Sequence, residues 1–201
     1  MIVYLASNNP HKATEFAQLL AGADPAIELR SARDLGGMPA VEETAEDFLG
    51  NARLKALALA ERLPRDGPDC WALADDSGLE VDALDGAPGV RSARFAGEDA
   101  SDEDNLRHLL RELEGVPEDE RGARFRCVLV LRNREGRERI FAGVCEGAIT
   151  TEPAGQSGFG YDPVFRPRRY DRTFAELGEE VKADLSHRAL ACQGLLQARM
   201  E

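Results

Sequence analysis

Residues 70–82 read CWALADDSGLEVD, and they join two apolar runs through adjacent aspartates, a serine and a glycine. Both runs, 70–74 and 79–83, have the length and composition of short buried strands. On a continuous strand Asp75 and Asp76 point to opposite faces, so they share a ligand only if the strand ends there, which the glycine permits. The stretch therefore predicts either a polar turn or a strand end whose carboxylates hold a cation such as Mg²⁺.

The length and the charge limit the class of protein that this sequence encodes. Its 201 residues suffice for one domain with a sizeable core. Its 25 basic and 37 acidic residues give a net charge of −12, which argues against a protein that follows a nucleic-acid backbone. The start, MIVYLASNN, has no signal-peptide pattern, and no long uncharged apolar stretch predicts a membrane helix. We therefore expect a cytoplasmic protein without nucleic-acid or membrane partners.

The rest of the sequence alternates strands and helices in its first half and places a hairpin in its second half. The predicted elements are, in order, a strand over 2–6, a helix over 10–20 capped by Asn9, a helix over 45–63 capped by Thr44, the strands over 70–74 and 79–83, a helix to about residue 114 capped by Ser101, a hairpin over 125–150, a glycine-rich loop and a last helix capped by Ser186. This order favours an α/β fold whose mixed, elongated central sheet is flanked by helices. No repeat or linker divides the chain, so we expect a single domain over 1–201 with two lobes sharing one sheet.

The segment 7–12, SNNPHK, lies between a predicted strand and a predicted helix. Backbone amides at a helix N-terminus attract anions, and Lys12 adds a positive charge in the first turn. The segment is not a Walker loop, because the G-x-x-x-x-G-K-[ST] pattern is absent. It indicates either a phosphate-binding loop or an ordinary capped helix start.

The segment 42–44, EET, precedes the second predicted helix. Acids there interact favourably with the helix dipole, and one of them can also reach a hard cation. Lys55 lies one turn after Asn51 on that helix, at the edge of its apolar stripe. Taken alone, this helix favours a solvated lysine at position 55.

A glycine-rich segment over 158–163, GFGYDP, carries two aromatic residues. Phe159 and Tyr161 can sandwich a flat ring, and Asp162 can accept a hydrogen bond from a ring N–H. The alternative is a β-bulge whose aromatic residues belong to the core. The segment therefore indicates either a base-binding pocket or a bend in the sheet.

The segment 182–188, KADLSHR, places two basic side chains against the local helix dipole. His187 and Arg188 fall in the first turn of the last predicted helix, where cations are disfavoured. Residues that oppose their local electrostatics are candidates for binding an anion or a carbonyl group. Exposed first-turn cations are the alternative.

Five segments, taken together and in this order, resemble the inosine triphosphate pyrophosphatase family. They are SNNPHK, EETAEDFLGNARLKA, ADDSGLEVDALDGAPGVRSARFAG, GFGYDPVF and KADLSHRA. The resemblance covers residues 2 to about 196, and it implies Mg²⁺-dependent hydrolysis of ITP, dITP and XTP to the monophosphate and pyrophosphate. It also implies a homodimer and a two-lobed fold with an active-site cleft between the lobes. A pyrophosphatase for modified pyrimidine triphosphates and a non-catalytic nucleotide sensor are the alternatives.

The resemblance also implies roles for individual residues. Asp76 matches the general base and metal-associated aspartate, Glu42 matches the acid that helps to hold Mg²⁺, and Asp75 stays open as a further ligand. The predicted substrate-binding residues are Ser7, Asn8, Asn9, Pro10, His11, Lys12, Lys55, Ser77, Phe159, Gly160, Tyr161, Asp162, Lys182, His187 and Arg188. Asn8 stands where the family usually has glycine, although asparagine tolerates left-handed backbone angles better than most residues.

Overall fold

Over the described residues, 1–21, 27–65 and 69–198, the computed structural model contains a six-stranded sheet and five α-helices. The strands are β1 (Ile2–Leu5), β2 (Glu28–Ser31), β3 (Cys70–Val81), β4 (Gly122–Asn133), β5 (Glu138–Ile149) and β6 (Phe165–Pro167). The helices are α1 (Pro10–Leu19), α2 (Phe48–Ala60), α3 (Asp102–Glu112), α4 (Phe174–Leu185) and α5 (His187–Gln197). None of these helices is both long enough and apolar enough to cross a membrane.

The sheet is mixed, as the alternation of strands and helices predicted. Its strand order is β2-β1-β3-β4-β5-β6. Strand β1 pairs in parallel with β2 and with β3, whereas β5 pairs antiparallel with β6. The mixed α/β fold is therefore confirmed, and the hairpin appears as the neighbouring strands β4 and β5.

The described residues divide into two compact units. Unit 1 holds those of 1–76, 127–143 and the segment from 191 onward, and unit 2 holds 77–126 and 144–190. The boundary within β3 falls between Asp76 and Ser77, in the middle of the DDSG sequence. The single domain and the active-site cleft stay predictions.

Strand β3 runs through the two aspartates without interruption, so the predicted strand end is wrong. It is one strand of 12 residues, and ten of them are buried. A buried backbone must keep its amides and carbonyls hydrogen-bonded, and the sheet ladder provides the partners. The chain therefore keeps the ladder intact and accommodates the carboxylates through their side chains.

The core of unit 1 lies on both faces of β1 and β3 because successive side chains alternate between the faces. One face forms a cluster that includes Val3, Leu5, Trp71 and Leu73 with Phe16 of α1. The other face forms a cluster that includes Tyr4, Ala6, Ala72 and Ala74 with Ala52, Ala56 and Leu59 of α2. Helices α1 and α2 therefore belong to opposite faces of these strands.

The first two helices differ in how well their starts follow local sequence. Asn9 caps α1 through its side chain, as predicted. The start of α2 is three residues later than predicted, because Asp47 is its N-cap and Phe48 its first residue. Thr44 lies outside the helix, and the side chain of Asn51 accepts a hydrogen bond from the amide of the next residue, Ala45. This side-chain contact holds the 44–47 segment in a non-helical path.

Unit 2 has its own core around the second half of β3. The cluster includes Leu79, Val81, Leu106, Leu109, Leu113, Phe125, Ile149, Phe165 and Phe174. Helix α3 is capped by Ser101 and α5 by the side chain of Ser186, as predicted. The sequence interpretation missed β2 and β6, which are strands of three or four residues, and α4, which contains a non-helical residue at Gly178. Such short or interrupted elements carry little hydrophobic periodicity.

Two leucines provide a test of the unit 1 core. Leu129 is fully buried and Leu57 is 43% exposed. We expect Leu129→Ala to lower the free energy of unfolding by about 2–5 kcal/mol, because it leaves a cavity. Leu57→Ala is the matched control, and we expect a change of less than about 0.5 kcal/mol. Urea denaturation followed by circular dichroism measures both, and equal losses would contradict the assigned core.

Candidate active site

The two adjacent aspartates of β3 each contact a different lysine. The Nζ atom of Lys12 lies 2.8 Å from Asp75 Oδ2, and the Nζ atom of Lys55 lies 2.7 Å from Asp76 Oδ1. Lys12 belongs to α1 and Lys55 to α2, the helices of opposite faces. The expectation that Asp75 and Asp76 diverge on a continuous strand is therefore confirmed.

Both aspartates are buried, and the lysines are largely buried with them. The side chain of Asp75 is 1% exposed and that of Asp76 is 8% exposed. A buried ion is costly unless it is paired and hydrogen-bonded. Asn51, one turn before Lys55 on α2, adds a long hydrogen bond of 3.5 Å from its Nδ2 to Asp76 Oδ2. The helical spacing between residues 51 and 55 thus directs both side chains to one carboxylate.

The EET segment brings one of its two acids to the same lysine. Glu43 Oε1 lies 3.5 Å from Lys55 Nζ. Glu42 is exposed, and the structure assigns the Lys55 contact to its neighbour. The role of Glu42 as a metal ligand stays a prediction, and Glu43 is the acid that shares a cation with Asp76.

The environment shifts the acid–base properties of both partners in the Lys55–Asp76 pair. Burial raises the pKa of Asp76 above the ordinary aspartate value, although Lys55 acts in the opposite direction. Burial acts to lower the pKa of Lys55, but the charges of Asp76 and Asp75 outweigh it and the pKa is raised. Lys55 therefore stays protonated at neutral pH, while Asp76 accepts a proton more readily than an exposed aspartate.

The acids of unit 1 suit a divalent cation only if the substrate completes the coordination. Among the described residues, no group of three or more His, Cys, Asp or Glu side chains is arranged to hold a metal ion. Mg²⁺ usually takes one or two carboxylates from the protein and its other oxygens from water and phosphate. The carboxylates of Asp76 and Glu43 both contact the Lys55 ammonium group, so two acids already surround one position that a cation occupies. This donor set fits Mg²⁺ that is bound together with a polyphosphate.

The predicted phosphate loop has a defined backbone. The Ser7 hydroxyl accepts a hydrogen bond from the Asn9 amide at 3.1 Å, and Asn9 Oδ1 accepts from the amides of His11 and Lys12. Residues 8–11 are exposed. Asn8 is not among the described non-glycine residues with a positive φ, so it imposes no strain of that kind. Exposed polar groups beside a helix N-terminus and Lys12 suit an anionic ligand.

Unit 2 gathers the predicted base-binding residues around Phe159. The Lys182 ammonium group lies 4.4 Å from the centre of the Phe159 ring, and the Arg188 guanidinium carbon lies 5.5 Å from it. Lys182 also donates to Asp162 Oδ2 at 2.7 Å, and both of these side chains are at least 95% buried. The structure thus joins the GFGYDP and KADLSHR segments.

The two first-turn residues of α5 are buried. Arg188 donates to the hydroxyl of Ser77 at 2.7 Å, which fixes its guanidinium group. His187 stacks on Phe125, with ring centres 4.9 Å apart. Both residues are at most 5% exposed. The alternative of exposed first-turn cations is therefore wrong.

Tyr161 has a different position from the one that a ring sandwich requires. Its ring belongs to the core of unit 2, and its hydroxyl donates to the carbonyl oxygen of Ser92 at 2.8 Å. Its ring is thus committed to packing, and we correct the prediction that Tyr161 and Phe159 sandwich a substrate ring. Phe159 is the aromatic residue of this segment that lies beside cations.

Sequence reasoning missed Asp102 as a residue connected to this site. Its Oδ2 accepts a hydrogen bond from the Gly160 amide at 2.8 Å. Asp102 and Gly160 are 58 residues apart in the chain, so helix or strand periodicity does not connect them. Its location at the start of α3 resembled an ordinary acidic first turn.

The chain belongs to the Ham1 family, whose model matches residues 3–198. It is 53% identical over 195 residues to a dITP/XTP pyrophosphatase of Opitutus terrae, covering 95% of each chain. It is 46% identical over 200 residues to a dITP/XTP pyrophosphatase of Yersinia pseudotuberculosis, covering 98% of this chain and 96% of the relative. These matches confirm the family resemblance that the five segments indicate.

Solved structures of similar proteins have the same fold. A HAM1 protein from Coxiella burnetii matches with a TM-score of 0.86 at 38% identity, covering 98% of this chain and 96% of that one. A nucleoside-triphosphatase and dITP/XTP pyrophosphatase from Mycobacterium abscessus matches with a TM-score of 0.77 at 40% identity, covering 98% of each chain. The mixed α/β architecture is therefore shared with solved members of the family.

The Lys55–Asp76 pair provides a test of the buried charges. We expect Lys55→Met to lower the free energy of unfolding at pH 7 by about 3–5 kcal/mol, because Asp76 is left buried without this counter-charge. Adding Asp76→Asn to that variant should restore most of the loss. Arg107→Met is the control, since it breaks the exposed pair with Glu103 and should cost less than about 1 kcal/mol. Additive losses in the urea-denaturation cycle would show that the pair is not coupled.

Proposed function

We propose that this protein hydrolyses ITP, dITP and XTP to the nucleoside monophosphate and pyrophosphate. The observation that carries the proposal is the buried contact between Asp76 of β3 and Lys55 of α2. The chain's relatives are named dITP/XTP pyrophosphatases. A carboxylate with a raised pKa beside a lysine suits general-base chemistry on a polyphosphate. The activity removes non-standard purine nucleotides from the nucleotide pool.

Lys12 and Lys55 bind phosphate oxygens in this proposal. In the structure Lys12 pairs with Asp75 at 2.8 Å and Lys55 pairs with Asp76 at 2.7 Å. A triphosphate carries more negative charge than one carboxylate, so it competes for these ammonium groups. The loop amides near Asn9 add donors at the N-terminus of α1.

Mg²⁺ is the cofactor in this proposal, with Asp76 and Glu43 as the carboxylates that hold it. Glu42 and Asp75 are the further acids that the family resemblance and the sequence suggest. When bound with the substrate, Mg²⁺ supplies neutralisation of the triphosphate charge and polarisation of the α-phosphorus.

Asp76 acts as the general base. Its carboxylate orients a water molecule and accepts a proton from it as the water attacks the α-phosphorus. The bond between the α-phosphorus and its bridging oxygen breaks, and pyrophosphate leaves. The reaction needs positioning and charge stabilisation but no covalent intermediate on the protein.

The cations of unit 2 recognise the base through its 6-keto group. Hypoxanthine and xanthine present a carbonyl oxygen at position 6 and an N–H at position 1, whereas adenine presents an amino group and an unprotonated nitrogen. Lys182 and Arg188, the cations beside the Phe159 ring, are the donors to the keto oxygen. Asp162 is the acceptor for the N1–H. Adenine leaves these groups unpaired, which costs affinity.

The proposal includes a homodimer, which the family resemblance implies, and a cytoplasmic location, which the sequence predicts. Light scattering coupled to size-exclusion chromatography measures the mass against the 21.9 kDa of one chain. A mass of one chain at micromolar concentration would remove the dimer from the proposal.

A substrate panel tests the proposed reaction. We expect XTP, dITP and ITP to be hydrolysed in the presence of Mg²⁺ at least about 100-fold more efficiently than ATP, because the keto-directed donors reject adenine. Pyrophosphate and the monophosphate should be the products by ion-exchange chromatography, and EDTA should abolish the reaction.

The same panel separates the alternatives. Release of orthophosphate and a diphosphate would contradict attack at the α-phosphorus. Equal efficiency with ATP would contradict the keto-directed donors, and a preference for modified pyrimidine triphosphates would identify a different pyrophosphatase. Binding of ITP without turnover would indicate a sensor.

Asp76→Asn tests the general base. We expect kcat to fall by about 10²–10⁴-fold because the amide does not accept the proton of the attacking water. Asp82→Asn is the matched control: Asp82 follows β3, its side chain is 55% exposed and it pairs with Arg124. That variant should keep kcat within about twofold. A fully active Asp76→Asn variant would remove Asp76 from the chemistry.

A further inference from the structure

The loop that carries Phe159 has a backbone that needs external support. Phe159 lies between Gly158 and Gly160, whose φ angles are +79° and +61°. Such left-handed angles suit glycine, but glycine also has the greatest conformational freedom to lose on folding. A loop with two such residues around one aromatic ring keeps a single conformation only if its amides are held.

Two carboxylates hold the amides beside the Phe159 ring. Asp162 Oδ2 accepts from the Phe159 amide at 2.9 Å, and Asp102 Oδ2 accepts from the Gly160 amide at 2.8 Å. Asp162 belongs to the same loop and is paired with Lys182 of α4. Asp102 is the first residue of α3 and therefore connects the loop to a separate element of unit 2.

The requirements of α3 itself do not explain this contact. The first turn of α3 has three acids, Asp102, Glu103 and Asp104. Asp104 forms the capping box with Ser101, and Glu103 forms an ion pair with Arg107. All three interact favourably with the helix dipole, but the contact with the Phe159 loop belongs to Asp102.

A second contact anchors the same loop to the same unit. Tyr161, the next residue after Gly160, is buried and donates to the carbonyl of Ser92 at 2.8 Å. The Tyr161 contact fixes the loop on the core side, and the Asp102 contact fixes it at the exposed amide. The Phe159 ring, with Lys182 and Arg188 beside it, is positioned by these two contacts together with the Asp162–Lys182 pair.

We propose that Asp102 is a positioning residue for purine recognition, which acts by holding the Gly160 amide and thereby the Phe159 ring. This inference rests on the proposed function. Asp102 acts through the loop backbone, and the phosphate-directed residues Lys12 and Lys55 belong to unit 1. Loss of the contact therefore weakens binding of the base in the ground state and the transition state equally, which raises KM and leaves kcat unchanged.

The test compares Asp102→Ala, Asp102→Asn and Glu103→Ala with the wild type, using XTP as substrate. We expect Asp102→Ala to raise KM about tenfold with kcat within about twofold, the effect of losing a hydrogen bond to a charged acceptor. Asp102→Asn keeps a side-chain oxygen and should give an intermediate KM. Glu103→Ala removes the same charge from the same helical turn and should leave KM within about twofold.

Product inhibition gives a second readout that a general structural defect would not reproduce. In Asp102→Ala, the inhibition constant of IMP should rise about tenfold, while that of pyrophosphate, which has no base, stays unchanged. An unchanged KM in Asp102→Ala, or equal weakening of IMP and pyrophosphate, would overturn the inference. If the wild type neither hydrolyses XTP nor binds IMP, the proposed function fails instead, so the two failures are distinguishable.

Discussion

The continuity of β3 is the constraint on which the candidate site of unit 1 depends. Because the strand does not end at Asp75 and Asp76, their side chains emerge on opposite faces. Each face has its own helix, and each helix supplies one lysine to the carboxylate on its side, Lys12 from α1 and Lys55 from α2. One uninterrupted backbone thus produces two separate acid–lysine pairs from two neighbouring residues.

Such pairs are poor sources of stability. Removing two charges from water costs several kcal/mol for each ion, and the attraction between the partners repays that cost only in part. A chain selected for stability alone would place apolar residues there, as it does at Leu73 and Ala74 just before the pair. The proposed function accounts for the buried charges, since a triphosphate needs cations to bind it and its hydrolysis needs a base to activate water.

Unit 2 also holds buried cations in fixed positions, and in the proposed function these recognise the base. Lys182 is buried against Asp162, and Arg188 is buried against Ser77, so both cations are held in fixed positions beside Phe159. Fixed donors discriminate between a keto oxygen and an amino group better than mobile donors do. A fixed donor that faces an amino group cannot rotate to find another acceptor, so its hydrogen bond is lost. The hydrogen bond from the Gly160 amide to Asp102 extends this rigidity to the loop backbone.

Features that depend on local chemistry are predictable from the amino-acid sequence. The Asn9, Ser101 and Ser186 caps follow from short polar side chains before helical patterns, and the mixed α/β class follows from the order of strands and helices. The five segments also determined the family. Short strands such as β2, with four residues, were missed because they carry too little periodicity.

Which charged groups meet depends on how distant segments pack. Lys12 and Asp75 are 63 residues apart, and Arg188 and Ser77 are 111 residues apart, so no local pattern records their contacts. The choice of Glu43 over Glu42 beside Lys55 depends on how the chain enters α2, and the continuity of β3 depends on burial that the whole sheet imposes. Local sequence sets which groups are available, whereas the packing of distant elements sets their distances and hence their chemistry.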